Sequence, residues 1–417
     1  MSVAPPAATA ESPIRWSLVV LLAVLSAFDA MAIDMYLPAF PAMRADLQIS
    51  DAAVQASLAV FLAGLALGQL AYGPLLDRFG RRGPVLAGSL LFVAGSALVA
   101  LGDGLGALML GRLLQALGAA AGVVAPRAII TDTHDEAQSA RLFSLMMQVF
   151  MVAPVCAPLL GAWLVQHGWW RGIFWLLTVF GALSLVWSWR ALPETLPRAQ
   201  RQTQHLGLIV RGYARLLANR PYLLNTLAGA FLLGSLFGYI SGAPFVLIDG
   251  FGLTPQAFGF VFAGNAVALI VAGRVNDRLL PRLGPARLLD VGLAVHALAA
   301  AGLLAVVLLP PAAGALPFIA AMALVVGSLG LTFGNASALT MDCARDQIGY
   351  AAAMMGVLQY AVGALSGLAL APLGRALGVG SAVLALALTL LACSVMALLL
   401  RRAAVAQTLP GMVASTP

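Results

Sequence analysis

Asp29, Asp34 and Arg112 are ionisable residues set inside stretches otherwise apolar enough to cross a membrane. A charge in the hydrocarbon layer is costly, so such residues are usually functional and face an internal cavity. Counted inward from Pro41, Asp34 lies roughly 10 Å deep, and Arg112 counted from Leu105 lies at about the same depth, at 1.5 Å per residue. The two could therefore pair, directly or through water. Desolvation favours the neutral form of a carboxyl group, and a neighbouring guanidinium favours the carboxylate. That competition can set a proton-binding equilibrium near physiological pH; the alternative is a permanent structural ion pair. Asp29 precedes Asp34 by five residues, so the two point roughly 140° apart on an ideal helix. Asp29 is read either as a cavity-facing proton or cation site or as a neutral, hydrogen-bonded acid between helices. Tyr36, Gln115, Gln148, Tyr239, Asn265, Asn335 and Gln359 are further candidates to line the cavity. Each alone is more simply a helix–helix hydrogen bond. With Phe61, Phe150, Phe231, Phe237, Phe262 and Met146 they suggest an amphipathic pocket for lipophilic solutes.

The elements that must position these groups are helices in a bilayer. At 61% hydrophobic and 9% charged, the 417 residues do not suit a water-soluble fold. A spanning helix needs about 20 apolar residues. Twelve such segments are expected, near 16–38, 52–76, 84–102, 106–130, 140–165, 172–190, 223–247, 256–276, 287–309, 315–340, 348–372 and 379–400. They divide the chain into a disordered N-terminal segment (1–14), a six-helix bundle (15–190), a cytoplasmic linker (191–221), a second bundle (222–402) and a tail (403–417). The linker contains an amphipathic helix with Leu206, Leu208, Ile209, Tyr213, Leu216 and Leu217 on its apolar face, expected at the anionic inner leaflet.

All 23 basic residues are arginine. With both termini cytoplasmic, Arg44, Arg171 and Arg375 alone fall outside and Arg112 falls within a helix, which satisfies the positive-inside rule. The net charge of +7 is thus a topology signal and not a nucleic-acid one. Cys156, Cys343 and Cys393 read as small buried hydrophobes. Asp132, His134, Asp135 and Glu136 with Arg127 and Arg141 read as a solvated rim, and no metal site is expected. No P-loop, zincin motif or nucleophile elbow occurs, so neither catalytic residues nor an ATP-driven mechanism is expected.

A charged glycine turn recurs after 200 residues. The first copy is Gly73-Pro-Leu-Leu-Asp77-Arg78-Phe79-Gly80-Arg81-Arg82-Gly83-Pro84, and the second is Gly273-Arg-Val-Asn-Asp277-Arg278-Leu-Leu-Pro-Arg282-Leu-Gly284-Pro285. The glycines permit a tight reversal at the membrane surface. The aspartate suits a helix N-terminus, and the arginines suit helix C-termini and lipid phosphates. Contacts of this kind break when two halves tilt apart, so the loop is expected to act as a conformational latch.

The first copy resembles the signature loop of the major facilitator superfamily. Leu110-Gly111-Arg112-Leu-Leu-Gln115-Ala-Leu-Gly118 is similar to the helix-4 motif of its proton-coupled members, and Ala153-Pro154-Val-Cys-Ala-Pro158-Leu-Leu-Gly161 to its helix-5 exporter motif. Asp34-Met-Tyr-Leu-Pro38-Ala-Phe-Pro41, Trp170-Arg171-Gly-Ile-Phe174-Trp175, Leu192-Pro-Glu194-Thr195-Leu and Ser241-Gly-Ala-Pro244-Phe-Val-Leu resemble the Bcr/CflA drug-resistance subfamily. Ala157 and Ala162 stand where many exporters have glycine, and Arg81-Arg82 where Arg-Lys is commoner. The resemblance implies an all-α membrane protein, with two pseudo-symmetric six-helix bundles around a central cavity. It further implies an inner-membrane drug:proton antiporter for bicyclomycin- and chloramphenicol-type compounds. The proton gradient would replace any cofactor, and lipids, protons and drug would be the partners of a monomer. The rivals are a proton-coupled carrier of a small metabolite on the same fold, a membrane-embedded enzyme, and a receptor that binds without translocating.

Overall fold

The computed structural model describes residues 16–134, 136–201, 206–308, 314–378 and 382–413, and the regular structure among them is entirely helical. In hydrocarbon every backbone donor and acceptor must be satisfied within the chain, which leaves long apolar stretches no alternative to the helix. In chain order they are α1 (Trp16–Leu47), α2 (Asp51–Phe79), α3 (Arg82–Leu101), α4 (Gly104–Thr133), α5 (Glu136–Gln166), α6 (Arg171–Ala191) and α7 (Arg220–Gly250). A single helical stretch, Pro255–Val307, breaks at Gly284 (φ 72°) into α8 (255–283) and α9 (285–307). Then follow α10 (Ala315–Asp342), α11 (Ile348–Leu377) and α12 (Ala382–Gln407). The expected N-terminal segment, 1–14, and the last four residues of the expected tail, 414–417, lie outside the described residues.

The helix count agrees with expectation; the boundary of α1 does not. It continues past residue 38 to Leu47, because Pro38 and Pro41 interrupt the hydrogen bonding without ending the span. The regular piece Phe28–Asp34 is followed by a 3₁₀ turn at Leu37–Ala39 and a last helical piece, Phe40–Leu47. Cys156 is exposed on α5 and not buried.

Helices α2, α3, α4 and α6 pack among themselves, as do α7, α9, α10, α11 and α12; the two groups meet where α2 lies against α11 and α5 against α8. Small residues set the close approaches, as expected where apolar lipid removes any hydrophobic drive between helices. A Cβ on Gly118 of α4 would stand 2.4 Å from the Phe92 backbone nitrogen of α3. A Cβ on Gly161, the glycine of the helix-5 motif, would stand 1.7 Å from the Met35 carbonyl oxygen. Pro154 and Pro158 lie in the same helix, so this motif is the seat on which the broken part of α1 rests beside Asp34. The linker helix, Leu206–Ala218, does not lie free at the bilayer surface: Leu216 is buried with Tyr222, Ala344, Ala351 and Met354. The side chains of Leu206, Leu208 and Ile209 lie outside the described residues.

Gly161→Ala should therefore displace α1 or unseat α5, costing about 2 kcal/mol, the scale of an overpacked core. A fall of several degrees in the detergent melting temperature is the expected readout; an unchanged melting curve would contradict the contact.

Candidate functional site

Arg112 is fully buried, with its guanidinium 4.1 Å from the ring centres of both Tyr36 and Phe61. Nη1 donates to the Ala32 carbonyl (3.0 Å) and to Gln115 Oε1, and Gln115 Nε2 in turn donates to Ser96 Oγ (2.8 Å). Nε and Nη2 are buried and have no hydrogen-bond partner among the described residues. Among the described residues no carboxylate forms a salt bridge with Arg112. The direct Asp34–Arg112 pair that the depth count allowed is thus not formed. Depth was matched, but azimuth was not. Arg112 contacts α1 at Ala32 and Tyr36, four residues apart and on one face, whereas Asp34 is two residues from each and lies about 200° around the helix from Ala32. Ring faces and the Ala32 carbonyl replace the expected counter-ion, a cation–π arrangement strengthened by exclusion of water.

Asp34, itself 5% exposed, has no hydrogen-bond or ion-pair partner among the described residues. It lies within electrostatic reach of Asp29 and of Tyr239 on α7, and Tyr239 Oη accepts from Asn265 Nδ2 at 2.8 Å. Asp29 Oδ1 accepts from the Ala30 backbone nitrogen (2.7 Å) and lies within electrostatic reach of Arg127 on α4 and Tyr360 on α11. Asp29 and Asp34 thus each lie within electrostatic reach of a tyrosine of the last six helices.

The remaining cavity candidates separate by role. Tyr36 and Gln115 hold Arg112. Asn335 Nδ2 donates to Asn276 Oδ1 (2.6 Å), tying α10 to α8. Gln359 of α11 faces Gly229 of α7. The side chains of Gln148 and Phe150 lie outside the described residues.

A cavity of about 1080 Å³ opens on the arginine-rich face, with α2 and α4 on one side and the start of α11 plus the linker helix on the other. Gln69, Asp77, Arg78, Arg127, Tyr213 and Tyr350 are among its walls. Arg127 is both a wall of this cavity and a neighbour of Asp29. The opposite face is closed. There Arg44 Nη1 pairs with Asp51 and with Asp249, each at 2.9 Å, and the Phe40 and Phe245 rings stand 5.6 Å apart. Arg44–Asp249 is the one salt bridge among the described residues that joins the first six helices to the last six. The segments after Asp34 and before Asp249, noted in the sequence only for their resemblance, therefore meet each other.

The first charged loop is organised by Arg81, 7% exposed. Its Nε donates to Asp132 Oδ2 (2.8 Å) and its Nη1 to Asp77 Oδ1 (2.7 Å). Burial opposes the Arg81 charge, but hydrogen bonds and charge from Asp132 and Asp77 outweigh it and raise its pKa above the ordinary arginine value. Glu194 accepts the backbone N–H of Arg81 (2.8 Å) and of Arg82 (3.4 Å) and pairs with Arg201 (3.5 Å). Gly80 (φ 87°) passes so close that a Cβ there would stand 2.3 Å from Glu194 Oε2. The sequence reading assigned Asp132 to a solvated rim and Glu194 only to a resemblance; the structure puts both in this network. Asp77 and Arg78 border the open cavity, and the loop's ion pairs stay within the first six helices and the linker. Gly73 and Gly83 have open space around them.

The second copy is not equivalent. Its turn glycine follows Asp277 by seven residues, against three for Gly80 after Asp77, about one extra helical turn. Asp277 and Arg278 consequently remain exposed on α8 and form no salt bridge among the described residues. The last six helices are braced instead by Arg401 of α12, whose Nε donates to Asp290 (2.8 Å) and Nη1 to Asn225 (3.2 Å).

The profile of the Major Facilitator Superfamily matches residues 22–368. The chain is 30% identical over 349 residues to the bicyclomycin resistance protein homolog of Haemophilus influenzae, covering 84% of this chain and 87% of that one. It is 33% identical over 319 residues to the chloramphenicol resistance protein of Pseudomonas aeruginosa, covering 75% and 74%. Its fold is similar to that of a crystallised D-xylose-proton symporter, with a TM-score of 0.72 over 92% of this chain and 97% of that one, at 15% identity. The chain belongs to the major facilitator superfamily, a family of membrane transporters and not of enzymes.

Two outcomes are expected from this geometry. Arg81→Gln should destabilise by about 2–3 kcal/mol, the low end for breaking a buried pair because Asp77 is half exposed. Asp77→Asn should cost less, since Asp132 and Glu194 still hold the loop; equal melting temperatures for the two variants would refute this ranking. Arg44→Gln should raise the population open at the opposite face about two- to fivefold, the worth of a partly exposed pair. Spin-label distances between the ends of α1 and α7 would read it, and an unaltered distribution would remove the ion pair from the closure.

Proposed function

We propose that this transporter exports lipophilic drugs across the bacterial inner membrane in exchange for protons, by alternating access. In this reading the arginine-rich face is cytoplasmic, in keeping with the positive-inside rule. The cavity on that face then receives solute, and the Arg44–Asp249 closure belongs to the periplasmic side. The relatives named for bicyclomycin and chloramphenicol resistance support drug export over metabolite carriage.

The observation that carries the coupling is Asp34, a carboxyl group at the junction of the two halves with no fixed counter-charge among the described residues. A group permanently neutralised by Arg112 would have no reason to exchange its proton. Without that partner, the charge of Asp34 answers to whatever reaches this junction of the two halves, where Tyr239 is within its electrostatic reach. Solvent brings protons there, and solute brings its own polar groups or displaces water. Arg112 keeps α1 in place for this exchange through Ala32 and Tyr36. Asp29, beside Arg127 and Tyr360, is the second acid in the same reading. In this reading the charged loop latches the cytoplasmic face when it closes, through Asp77 and Arg78 on the cavity wall and with Arg82, while Arg81 braces the loop within the first six helices. One chain contains both halves and so suffices as a monomer.

A susceptibility panel in an efflux-deficient host, followed by flux in proteoliposomes under an imposed pH gradient, tests the proposal. Increased cellular accumulation of solute on expression would favour an importer instead. Asp34→Asn should still bind drug but lose pH-gradient-driven efflux, and should release far less than one proton on drug binding in lightly buffered detergent. If Asp34→Asn keeps full coupled efflux, the coupling role passes to Asp29.

A further inference from the structure

The linker helix carries a tyrosine to the mouth of the cavity, where it meets a second from the start of α11. Tyr213 and Tyr350 both line the cavity, with ring centres 5.3 Å apart and planes at 87°. The linker helix is packed at this point: Gly212 lies beside the Tyr350 ring, and Leu216, one turn on, is buried at 3% exposure. Both rings are only half-buried. Across the cavity stand Leu75 and Phe79 at the end of α2, with the Arg78 guanidinium 5.3 Å from the Phe79 ring centre.

We propose that Tyr213 and Tyr350 form an entry subsite for the aromatic ring of a lipophilic solute, an assignment that rests on the drug-export reading. Two rings at a right angle present one face and one edge to the same corner. A third ring placed there can stack on the face and meet the edge, the two arrangements aromatic quadrupoles favour. Burial, with Tyr350 beside it, pushes the Tyr213 phenol above its ordinary value, so it stays a neutral hydrogen-bond donor for a solute's nitro, carbonyl or hydroxyl oxygen. The walls belong to different halves: the tyrosines ride with the last six helices, and Phe79 with the first six. When this face closes, Phe79 moves relative to the tyrosines, so a solute held between them shifts the balance of open and closed states by its differential affinity. The bland alternative is that the tyrosine pair merely docks the linker helix, in which case its removal would affect all solutes alike.

The test uses the full chain in lipid nanodiscs and two probes, chloramphenicol, which carries a nitrobenzene ring, and bicyclomycin, which carries no aromatic ring. Calorimetric Kd values are compared for wild type, Tyr213→Phe with Tyr350→Phe, and Tyr213→Leu with Tyr350→Leu; leucine keeps apolar bulk for docking but no ring. The leucine pair should weaken chloramphenicol about three- to tenfold, the range for loss of an aromatic contact, and bicyclomycin by less than about twofold. The phenylalanine pair should lose at most about threefold for chloramphenicol. Equal weakening of both probes, no weakening of chloramphenicol, or no wild-type binding of it would overturn the subsite. Wild-type binding of chloramphenicol without pH-gradient-driven efflux would sink the export reading and leave the subsite standing.

Discussion

A guanidinium that is always charged is held inside the first six helices with rings and a carbonyl where a carboxylate would be expected. Meeting that requirement dictates much of the surrounding packing. Helix α1 must turn Ala32 and Tyr36 toward α4, and Gln115 must stay fixed by Ser96 to receive Nη1. The approach of α4 to α1 is close enough that a Cβ on Gly122 would stand 2.1 Å from the Leu25 carbonyl oxygen. Once that face of α1 is committed, the helical period sends Asp34 to the other face, within electrostatic reach of Tyr239 on α7. One arginine thus divides α1 into a structural face and an interfacial one.

The same economy governs motion. At the arginine-rich face Arg81 binds the α2–α3 loop to Asp132, while Glu194 ties it to the chain leaving α6. At the opposite face Arg171 joins Asp46 to Asp103, and Trp170 Nε1 donates to Asp46 at 3.1 Å. Arg401 does comparable work among the last six helices. Each half is therefore cross-linked within itself by charge, and only Arg44–Asp249 crosses between them among the described ion pairs. A molecule braced in this way moves most cheaply by rocking one bundle against the other, since that breaks one partly exposed pair and leaves the internal networks intact.

Part of this was legible from residue order. Apolar length and arginine placement are local properties, so the twelve spans and the arginine-rich face needed no coordinates. The helix-4 and helix-5 motifs were visible as strings, and their glycines proved to be points of backbone contact at Phe92 and Met35. Glu194, Asp132, Asp249 and Tyr350 could not be placed in their contacts from the string, because their partners lie 51 to 205 residues away or on another element altogether. The charged repeat misled in one respect. Shared letters suggested two equivalent loops, but four additional residues before the turn glycine add a helical turn and leave Asp277 without the network that Asp77 joins.

The sequence by itself determined the solvent of this protein, its helical class and the rarity of its buried charges, because each follows from how many apolar residues stand together and how costly an ion is among them. Depth along a helix also follows from counting, at a fixed rise per residue. Which way a side chain points does not, since azimuth depends on how the helix is rotated against its neighbours. Only the tertiary structure decided that Arg112 faces Tyr36 and Phe61, that Asp34 is left without an ion-pair partner among the described residues, and that the linker helix walls the cavity with Tyr213.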